Sequence, residues 1–380
     1  MTIQIHKVES RSDINRFIDF PHELNKGDNN YVPELYLSQK EMFDRKKYPF
    51  YEYGDVQCFL ATQGEKIVGR IAAIKNERYN SIHNSNIGFF GFFDFINSAE
   101  VASALLDAAA EQLSSENYDY LMGPTNFTTN ETAGFLIDGF EDPPKIMMTY
   151  NAPYYNEVLK SIGCEKEMDL YAYLIDTWEV SEKSLRLSEI FLERLARSGI
   201  TIRNISLKNF KNEVAKIKTV YNQAWINNWG FVPFTDNEFK HLADGLKMLA
   251  IEDFAYIAEH NGKAVGFSIS LPNINEITIN FKKGRLLPFN IFKLLLGKNK
   301  TRTVRIAAMG VIEEYRKKGI EAIFFAKNIL EARKRDIIHG EASWVLESNL
   351  DMINAAEKLN GVRYKTYRLY KYIPRKSMNE

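Results

Sequence analysis

The sequence predicts two domains of one mixed α/β fold, joined in tandem. Residues 59–74 and residues 256–271 match at a shift of 197 positions, with an alanine, a lysine, a valine and a glycine in common. A repeat of this length indicates two copies of one domain rather than a solenoid. The chain has 380 residues, which is more than one hydrophobic core usually supports. We therefore predict domains over residues 1–178 and 179–380.

The composition is that of an ordinary globular protein and excludes several other classes. The net charge is zero, which argues against broad binding of nucleic acid. The two cysteines, Cys58 and Cys164, show no metal-ligand spacing and no disulfide framework, so we expect no metal site and a reducing cytoplasm. No window of about 18 apolar residues predicts a membrane span, and the first residues lack the pattern of a signal peptide.

The first half alternates strand-like and helical patterns. Apolar runs flank the Gln-Gly-Glu of residues 63–65, which predicts a hairpin. Ser98, with Glu100 in the following turn, predicts the start of a helix, and Gly163 predicts the end of another. Strands are predicted at 3–8, 57–62, 66–75, 87–95, 118–122 and 169–175, and helices at 10–20, 98–113 and 154–162. Residues 125–148 are predicted to form a loop-rich insertion.

The second half repeats this order after a linker at residues 176–185, in which Ser181 is a candidate helix cap. Strands are predicted at 200–205, 254–259, 263–271, 303–311, 341–347 and 363–372, and helices at 185–198, 210–227, 236–249, 318–335 and 351–359. This half has its own insertion at residues 273–300. Insertions of this size are often where specificity is determined.

A basic turn that contains glycine opens the helix at 318–335. The run 309–322 reads Met-Gly-Val-Ile-Glu-Glu-Tyr-Arg-Lys-Lys-Gly-Ile-Glu-Ala. Such a turn directs free N–H groups at one point, and the helix dipole favours an anion there. Arg316, Lys317 and Lys318 add positive charge. The pattern predicts an anion site, and the alternative is a basic helix start with no ligand.

The order of the elements and the Arg-x-x-Gly of this turn resemble the GNAT acyltransferase superfamily. The resemblance covers both halves and implies a tandem protein in which each domain has a mixed, mostly antiparallel sheet flanked by helices. It also implies that acetyl-CoA or a longer acyl-CoA is the donor substrate, with its pyrophosphate at the turn. The positions carried over as the coenzyme-binding site are Met309, Gly310, Val311, Arg316, Lys317, Lys318, Gly319, Ile320, Ala322 and Asn349.

Two features depart from the family pattern. Glu321 stands where the family has Gly or Ala, and a carboxylate there repels a pyrophosphate unless the side chain turns away. The first half has no equivalent motif, because residues 95–100 read Phe-Ile-Asn-Ser-Ala-Glu. We therefore expect the second half to bind the coenzyme and the first half to be a degenerate copy of the domain.

Acyl transfer to an amine needs a base for the ammonium group and donors for the developing oxyanion. The resemblance implies that a backbone N–H near residues 309–311 is the oxyanion donor, and Glu347 at the end of its strand is the candidate base. Many acetyltransferases have a tyrosine as general acid where this chain has Ala356. Tyr364 and Tyr367 are near in sequence, and the alternative is that both only pack in a strand. Neither cysteine is in a nucleophile setting, so direct attack by the amine is expected.

Two clusters are candidates for binding the acceptor. One combines aromatic and polar residues in the second half: Trp225, Asn228, Trp229 and Phe231. In GNAT proteins this loop covers the acceptor pocket, and the alternative is an ordinary hydrophobic corner between helices. The other is a run of small and amide side chains with one carboxylate in the first half: Asn126, Thr128, Asn130 and Glu131. Such a run also bonds well to its own backbone, which makes a structural loop the default interpretation.

Residues 281–300 have a strongly apolar core of leucine and phenylalanine, with lysine and arginine residues on both sides of it. This composition suits a helix in a membrane interface, with peripheral contact at the inner membrane face, or a lid over a long acyl chain. The alternative is a helix docked on the other domain.

These observations predict an acyl-CoA-dependent N-acyltransferase whose acceptor is a primary amine, either a small molecule or a lipid-like amine. Two rival hypotheses stay open. One is a transferase of the tandem GNAT type that uses aminoacyl-tRNA. The neutral net charge counts against this hypothesis, since it predicts no nucleic-acid partner. The other is an inactive binding protein, which Glu321 and the missing tyrosine favour.

Overall fold

The computed structural model describes residues 2–116 and 118–374, and it is a mixed α/β protein, as predicted. The first half contains, in chain order, β1 (Ile3–Lys7), α1 (Arg11–Leu24), α2 (Tyr36–Met42), β2 (Gly54–Gln63), β3 (Lys66–Asn76), α3 (Glu77–His83), β4 (Gly88–Phe95), α4 (Ala99–Gln112), β5 (Leu121–Gly123), β6 (Thr125–Asn126), β7 (Thr132–Ala133), β8 (Phe135–Asp138), α5 (Tyr154–Ser161) and β9 (Glu165–Asp176). The second half contains α6 (Glu182–Arg197), β10 (Ile200–Asn204), α7 (Phe210–Ala224), α8 (Asp236–Lys247), β11 (Ala255–His260), β12 (Lys263–Pro272), α9 (Asn275–Thr278), α10 (Asn290–Gly297), β13 (Thr303–Val311), α11 (Ile320–Lys334), β14 (His339–Leu346), α12 (Leu350–Lys358) and β15 (Val362–Tyr372).

The first compact unit comprises, within the described chain, residues 2–170, 278–291 and 365–374. Its sheet has the strand order β1-β2-β3-β4-β5-β15. Strands β1 to β4 pair antiparallel, whereas β4 and β5 run parallel. Helix α4 lays an apolar face on this sheet, and Val101, Leu105 and Leu106 are fully buried there. The 3.6-residue spacing of these side chains is the reason that this segment is a core-facing helix.

The second compact unit comprises residues 171–277 and 292–364. Its sheet has the order β9-β14-β13-β12-β11-β10, in which β10 to β13 pair antiparallel and β13 runs parallel to β14. Two hydrophobic clusters cover it. One joins Phe267 to side chains of α7, and the other joins Val265 to side chains of α11.

The two closing strands are exchanged between the units. Tyr370 of β15 packs in the core of the first unit, where its hydroxyl donates to Oδ1 of Asn156 at 2.9 Å. Ile175 and Tyr173 of β9 pack in the second unit. The compact units therefore differ from the sequence repeats, and the predicted boundary between residues 178 and 179, which follows the repeats, stays a prediction.

Local signals in the sequence correspond to local structure. Ser98 and Ser181 are N-caps, and their side chains accept from the backbone N–H of Val101 and Ser184. The insertion at 125–148 contains the short strands β6, β7 and β8. In the part of the chain that the structure describes, no helix combines the length and the apolar character needed to cross a membrane.

Candidate active site

Strands β13 and β14 of the second unit separate halfway along their length. Their parallel pairing runs from Thr303 opposite His339 to Ile306 opposite Ala342. Strand β13 nevertheless continues to Val311 and stays paired with β12 to its end. Within the described chain, the edge of β13 beyond Ile306 therefore lies along an opening and not along β14.

A β-bulge on β13 coincides with this opening. Ile269 pairs with Ala308 and Ser270 with Ile306, so Ala307 is the extra residue. The extra residue of a bulge stays outside the hydrogen-bond ladder. Residues 306–309 are half-buried although β13 lies in the middle of its sheet. The bulge thus presents backbone hydrogen-bonding groups beside an opening in the sheet.

The chain leaves β13 through the predicted basic turn and enters α11. Lys317 and Lys318 are exposed. Gly319 is the N-cap of α11, so no capping side chain binds the first N–H groups of this helix. The first N–H groups of an α-helix have no partner within the helix, and a helix of 15 residues has a developed dipole. This helix start is therefore suited to hold a phosphate group.

Two contacts fix the conformation of the turn. Gly319 has a φ of 98°, and a Cβ at this position would lie 2.8 Å from Cγ of Phe191. The Arg316 guanidinium donates to the carbonyl oxygens of Val311 at 3.2 Å and Ala224 at 2.5 Å. The Arg316 guanidinium thus holds the turn against β13 and α7, whereas the two lysines beside it are not bound to these carbonyl oxygens.

Glu321 lies in the first turn of α11 and is half-buried. Burial raises the pKa of its carboxyl group above the ordinary value, and a hydrogen bond from its own backbone N–H and the charge of Arg316 act in the opposite direction. The carboxyl group therefore interacts with one of the N–H groups that the helix start offers to an anion.

A buried polar network that was not predicted from the sequence lies at the base of the opening. Arg305 and Glu341 are partners in the β13–β14 register, one position before the pairing ends, and Nε of Arg305 lies 3.5 Å from Oε1 of Glu341. Ser343 Oγ accepts from Arg305 Nε at 2.8 Å and donates to Glu341 Oε1 at 2.5 Å. The Tyr364 hydroxyl donates to Oε2 of Glu341. A charged residue within each of two neighbouring apolar strands was the signal that could have revealed this pair.

The structure does not bring the three catalytic candidates together in one unit. Glu347 directly follows the last residue of β14 and is half-buried. Tyr364 belongs to the same unit and contacts Glu341. Tyr367 is fully buried in the first unit, where it pairs with Leu136. Full burial is what the packing alternative predicts for Tyr367.

Both cysteines are buried and free of disulfides. Burial raises the pKa of the Cys58 thiol and of the Cys164 thiol to about 12. A thiol with such a pKa is protonated near neutral pH, and the protonated form is a poor nucleophile. The thiols of this chain are therefore unsuited to accept an acyl group.

The predicted acceptor cluster lies at the end of α7, and one member contacts β13. Trp225 is the C-cap of α7, and its indole Nε1 donates to the carbonyl oxygen of Met309 at 3.3 Å. Asn228 and Trp229 are half-buried in the turn that follows. Phe231 is buried in the core of the unit, as expected for a hydrophobic corner. Trp225 is thus the member of the cluster that the structure places beside the opening.

Four further positions were carried over from the resemblance, and three of them have local structural roles. Ile320 is fully buried beneath the start of α11, and Ala322 on the same helix is exposed. Asn349 is the N-cap of α12, and its side chain accepts from the backbone N–H of Met352 at 3.2 Å. At Gly310 a Cβ would lie 3.1 Å from Cβ of Ala224, so only a small residue fits between β13 and α7.

The first unit shows the same separation of its parallel strands. Strands β4 and β5 pair only at Gly88 with Leu121 and Phe89 with Met122 within the described residues, although β4 continues to Phe95. Strand β4 also carries a bulge, because the register shifts between Arg70 and Ala72 of β3. The two units therefore share the feature that defines the opening.

In the first unit, however, the chain itself fills the opening. Asn126 Oδ1 accepts from the backbone N–H of Phe92 in the bulge at 2.8 Å. A Cβ on Gly91 would lie 1.8 Å from the carbonyl oxygen of Thr125, so this segment lies directly against β4. Phe127 is fully buried among five aromatic rings: Phe43, Tyr48, Phe50, Tyr51 and Phe92.

The polar run that follows bonds to its own backbone, as the structural alternative predicts. Glu131 Oε2 accepts from the N–H groups of Phe127 at 2.7 Å and Thr128 at 3.1 Å. The Tyr48 hydroxyl donates to the other carboxylate oxygen of Glu131. The N–H of Asn130 donates to Thr128 Oγ1 at 3.3 Å. These bonds hold the segment that fills the opening.

Two units whose central parallel strands separate beside a bulge define a tandem GNAT-fold protein. A solved structure of this class supports the assignment, a tandem GNAT protein from the clavulanic acid biosynthesis pathway. It matches 98% of this chain and 98% of its own, with a TM-score of 0.57 and 10% sequence identity. The predicted resemblance and the predicted fold class are thereby confirmed. No protein-family model matches the chain.

Two relatives are similar over nearly the whole sequence. Protein YghO of Escherichia coli (strain K12) is 34% identical over 370 residues, which are 95% of this chain and 93% of the relative. Bacterial ceramide synthase of Caulobacter vibrioides (strain NA1000 / CB15N) is 32% identical over 376 residues, which are 97% of each protein. The chain therefore belongs to the family of these two proteins, a family with the GNAT acyltransferase fold.

Proposed function

We propose that the protein transfers an acyl group from an acyl-CoA to the primary amine of a long-chain lipid precursor. The observation that carries this proposal is the opening between β13 and β14, which leads to the uncapped, basic start of α11. The lipid nature of the acceptor rests on the name of one relative, bacterial ceramide synthase. A ceramide is the amide of a fatty acid and a long-chain amino alcohol.

The residues of the second unit fit the donor. Lys317, Lys318 and the N–H groups that follow Gly319 would hold the pyrophosphate. The open edge of β13 around Ala307 would accept the arm that carries the thioester, because no strand among the described residues pairs with this edge beyond Ile306. The thioester supplies an activated acyl carbon.

Side chains and backbone groups of the same unit are candidates for the remaining chemical steps. The ammonium group of the acceptor must lose a proton before it attacks, and Glu347 is the candidate base. The backbone N–H groups at the bulge are candidates to stabilise the negative charge that develops on the acyl oxygen. Tyr364 reaches the Arg305–Glu341 pair next to the opening, which makes it a better candidate than Tyr367 to protonate the leaving thiolate.

The test is an assay with palmitoyl-CoA and sphinganine in which free thiol and the N-acyl product are both measured. We expect the amide only when both substrates are present. The variant Lys317→Gln/Lys318→Gln should raise the KM for palmitoyl-CoA about tenfold or more, because two charged contacts to phosphate are lost. Lys334→Gln is the matched control, since Lys334 is exposed at the other end of α11.

The rival hypotheses give different results in this assay. An amide that forms only when aminoacyl-tRNA replaces palmitoyl-CoA would show that the donor is wrong. Tight binding of coenzyme A without turnover of any amine would favour the inactive binding protein. Equal KM values for the double variant and the control would remove the basic turn from the donor site.

A further inference from the structure

Residues 281–300 form a surface segment that the proposed acyl transfer does not use. Five large apolar side chains are exposed within ten consecutive residues. Their exposed fractions are 66% for Leu287, 74% for Phe289, 63% for Phe292, 38% for Leu295 and 76% for Leu296. A single exposed apolar side chain is ordinary, but a concentration of this kind marks an interaction site.

Buried neighbours hold the start of this segment in place. Phe281 and Leu286 are buried in the first unit. A Cβ on Gly284 would lie 1.8 Å from the carbonyl oxygen of Glu34, so the backbone at Gly284 lies directly against the loop that contains Glu34. Lys283 Nζ lies 3.2 Å from Asp19 and 3.1 Å from Glu23. The exposed side chains therefore belong to an anchored segment and not to a loose one.

Helix α10 likewise combines one buried apolar side chain with three exposed ones. Leu294 is 1% exposed and anchors the helix in the second unit. Phe292, Leu295 and Leu296 of the same helix are exposed, and Lys293 between them is exposed as well. Apolar side chains next to lysine on one short helix are typical of segments that lie in a membrane interface.

The charge of the segment has one sign. Residues 277–312 contain neither aspartate nor glutamate, although the whole chain has a net charge of zero. Residues 281–300 contain six basic residues: Lys282, Lys283, Arg285, Lys293, Lys298 and Lys300. Lys283 is paired with Asp19 and Glu23, and Arg285, although exposed, lies 3.8 Å from Asp19. Lys282, Lys293 and Lys300 are exposed as well.

We propose that residues 281–300 bind the surface of a membrane that contains anionic lipids. The apolar side chains would enter the headgroup region, and the exposed basic residues would contact lipid phosphates. A second copy of this chain is a poorer occupant, since a twofold interface would bring the same positive charges together. The inference goes beyond the proposed acyl transfer and holds whether or not that activity is found.

The test is flotation of the full-length protein with phosphatidylcholine vesicles, with and without phosphatidylglycerol. We expect binding to the anionic vesicles that weakens as salt is added. Phe292→Glu/Leu296→Glu should reduce the bound fraction at least about tenfold, because two apolar side chains are replaced by carboxylates that the anionic lipids repel. The matched control is Leu187→Glu/Ile190→Glu, since both of these residues are exposed on α6 and we expect it to bind like the parent.

A second variant keeps the test independent of folding. Lys293→Gln/Lys300→Gln should weaken binding to anionic vesicles about fivefold for each charge removed, and circular dichroism should show that every variant is folded. A parent protein that fails to bind anionic vesicles would overturn the proposal. So would unchanged binding of both variants, or a variant that turns a dimeric parent into a monomer while the parent ignores vesicles.

Discussion

The Glu321 carboxyl group lies at the start of α11, where the proposed site needs N–H groups for a pyrophosphate. Burial raises its pKa, and a hydrogen bond from its own backbone N–H and the charge of Arg316 oppose this shift. A helix start that already holds a carboxylate attracts a further anion less strongly. The affinity of the site for coenzyme should therefore depend on the protonation state of this one residue.

Glu321→Gln should bind coenzyme A about two- to fivefold more tightly than the parent near neutral pH, because a like charge at the helix start is removed. Since the pKa of Glu321 is raised, the parent should approach the affinity of the variant as pH falls into the mildly acidic range. Calorimetric titration at several pH values measures this difference, and the titration of the coenzyme phosphates is common to both proteins.

Glu189→Gln is the control for this comparison, because Glu189 is exposed on α6. Its affinity for coenzyme A should equal that of the parent at every pH. A weaker affinity of Glu321→Gln would mean that the carboxyl group supports the site instead of restraining it.

The pairing of β13 with β14 ends one position beyond a buried ion pair. Arg305 and Glu341 are 4% and 0% exposed at their side chains and join the strands just before the strands separate. Ser343 and Tyr364 satisfy further polar atoms of the same network. Removing one partner of a buried pair leaves an uncompensated charge, whereas removing both partners does not.

Arg305→Met should therefore lower the free energy of unfolding of the second unit by about 3–5 kcal/mol. The double variant Arg305→Met/Glu341→Met should recover part of this loss, since no buried charge remains. The measurement is urea unfolding followed by tryptophan fluorescence. All four tryptophans lie in the second unit, so the signal reports that unit: Trp178, Trp225, Trp229 and Trp344.

Lys240→Met provides the comparison, because Lys240 pairs with Asp244 on the exposed face of α8. An exposed pair contributes about 0–1 kcal/mol, so this variant should be nearly as stable as the parent. If Arg305→Met is no less stable than Lys240→Met, the pair does not hold the two strands together.

Local chemistry explains which elements the sequence could predict. Strand β13 has the predicted bounds, Thr303–Val311, because a largely apolar run follows Arg302 and ends shortly before two glutamates at 313–314. The Ser98 and Ser181 caps are confirmed, because a cap depends on residues within the next turn. The positions of the basic turn and the Trp225 cluster also follow from local sequence, whereas their role in binding coenzyme or acceptor stays a prediction.

Contacts between segments that are distant in the sequence could not be predicted from local sequence patterns. The bond from Arg305 to Ser343 joins residues 38 positions apart, and the bond from Asn126 to Phe92 joins residues 34 apart. The packing of Tyr370 in the first unit likewise depends on strand pairing and not on any signal in β15 itself. Of these contacts, the bond from Asn126 to Phe92 holds the segment that fills the opening of the first unit.

Across the whole molecule, the two copies of the domain share one backbone arrangement and differ in which residues lie in the opening between the strands. Both have separated parallel strands and a bulge on the central strand. The first copy has residues 125–127 in the opening and a helix start without basic residues, where Ser98 caps α4. The second copy has an open strand edge and a helix start with two exposed lysines. We therefore expect the first copy to serve as a scaffold and the second copy to bind the proposed donor.

This difference predicts that each chain binds one molecule of coenzyme A. Calorimetric titration of the full-length protein should give a single binding event, and Lys317→Gln/Lys318→Gln should weaken that event about tenfold or more, because two charged contacts to phosphate are lost. Lys334→Gln should bind like the parent, since Lys334 lies at the far end of α11. A single event in the double variant as tight as in the parent would remove the basic turn from the coenzyme site. Two binding events per chain would show that the first copy also holds the coenzyme. In that case residues 125–127 would have to leave the opening in the first unit, and Phe127 would have to leave its aromatic surroundings.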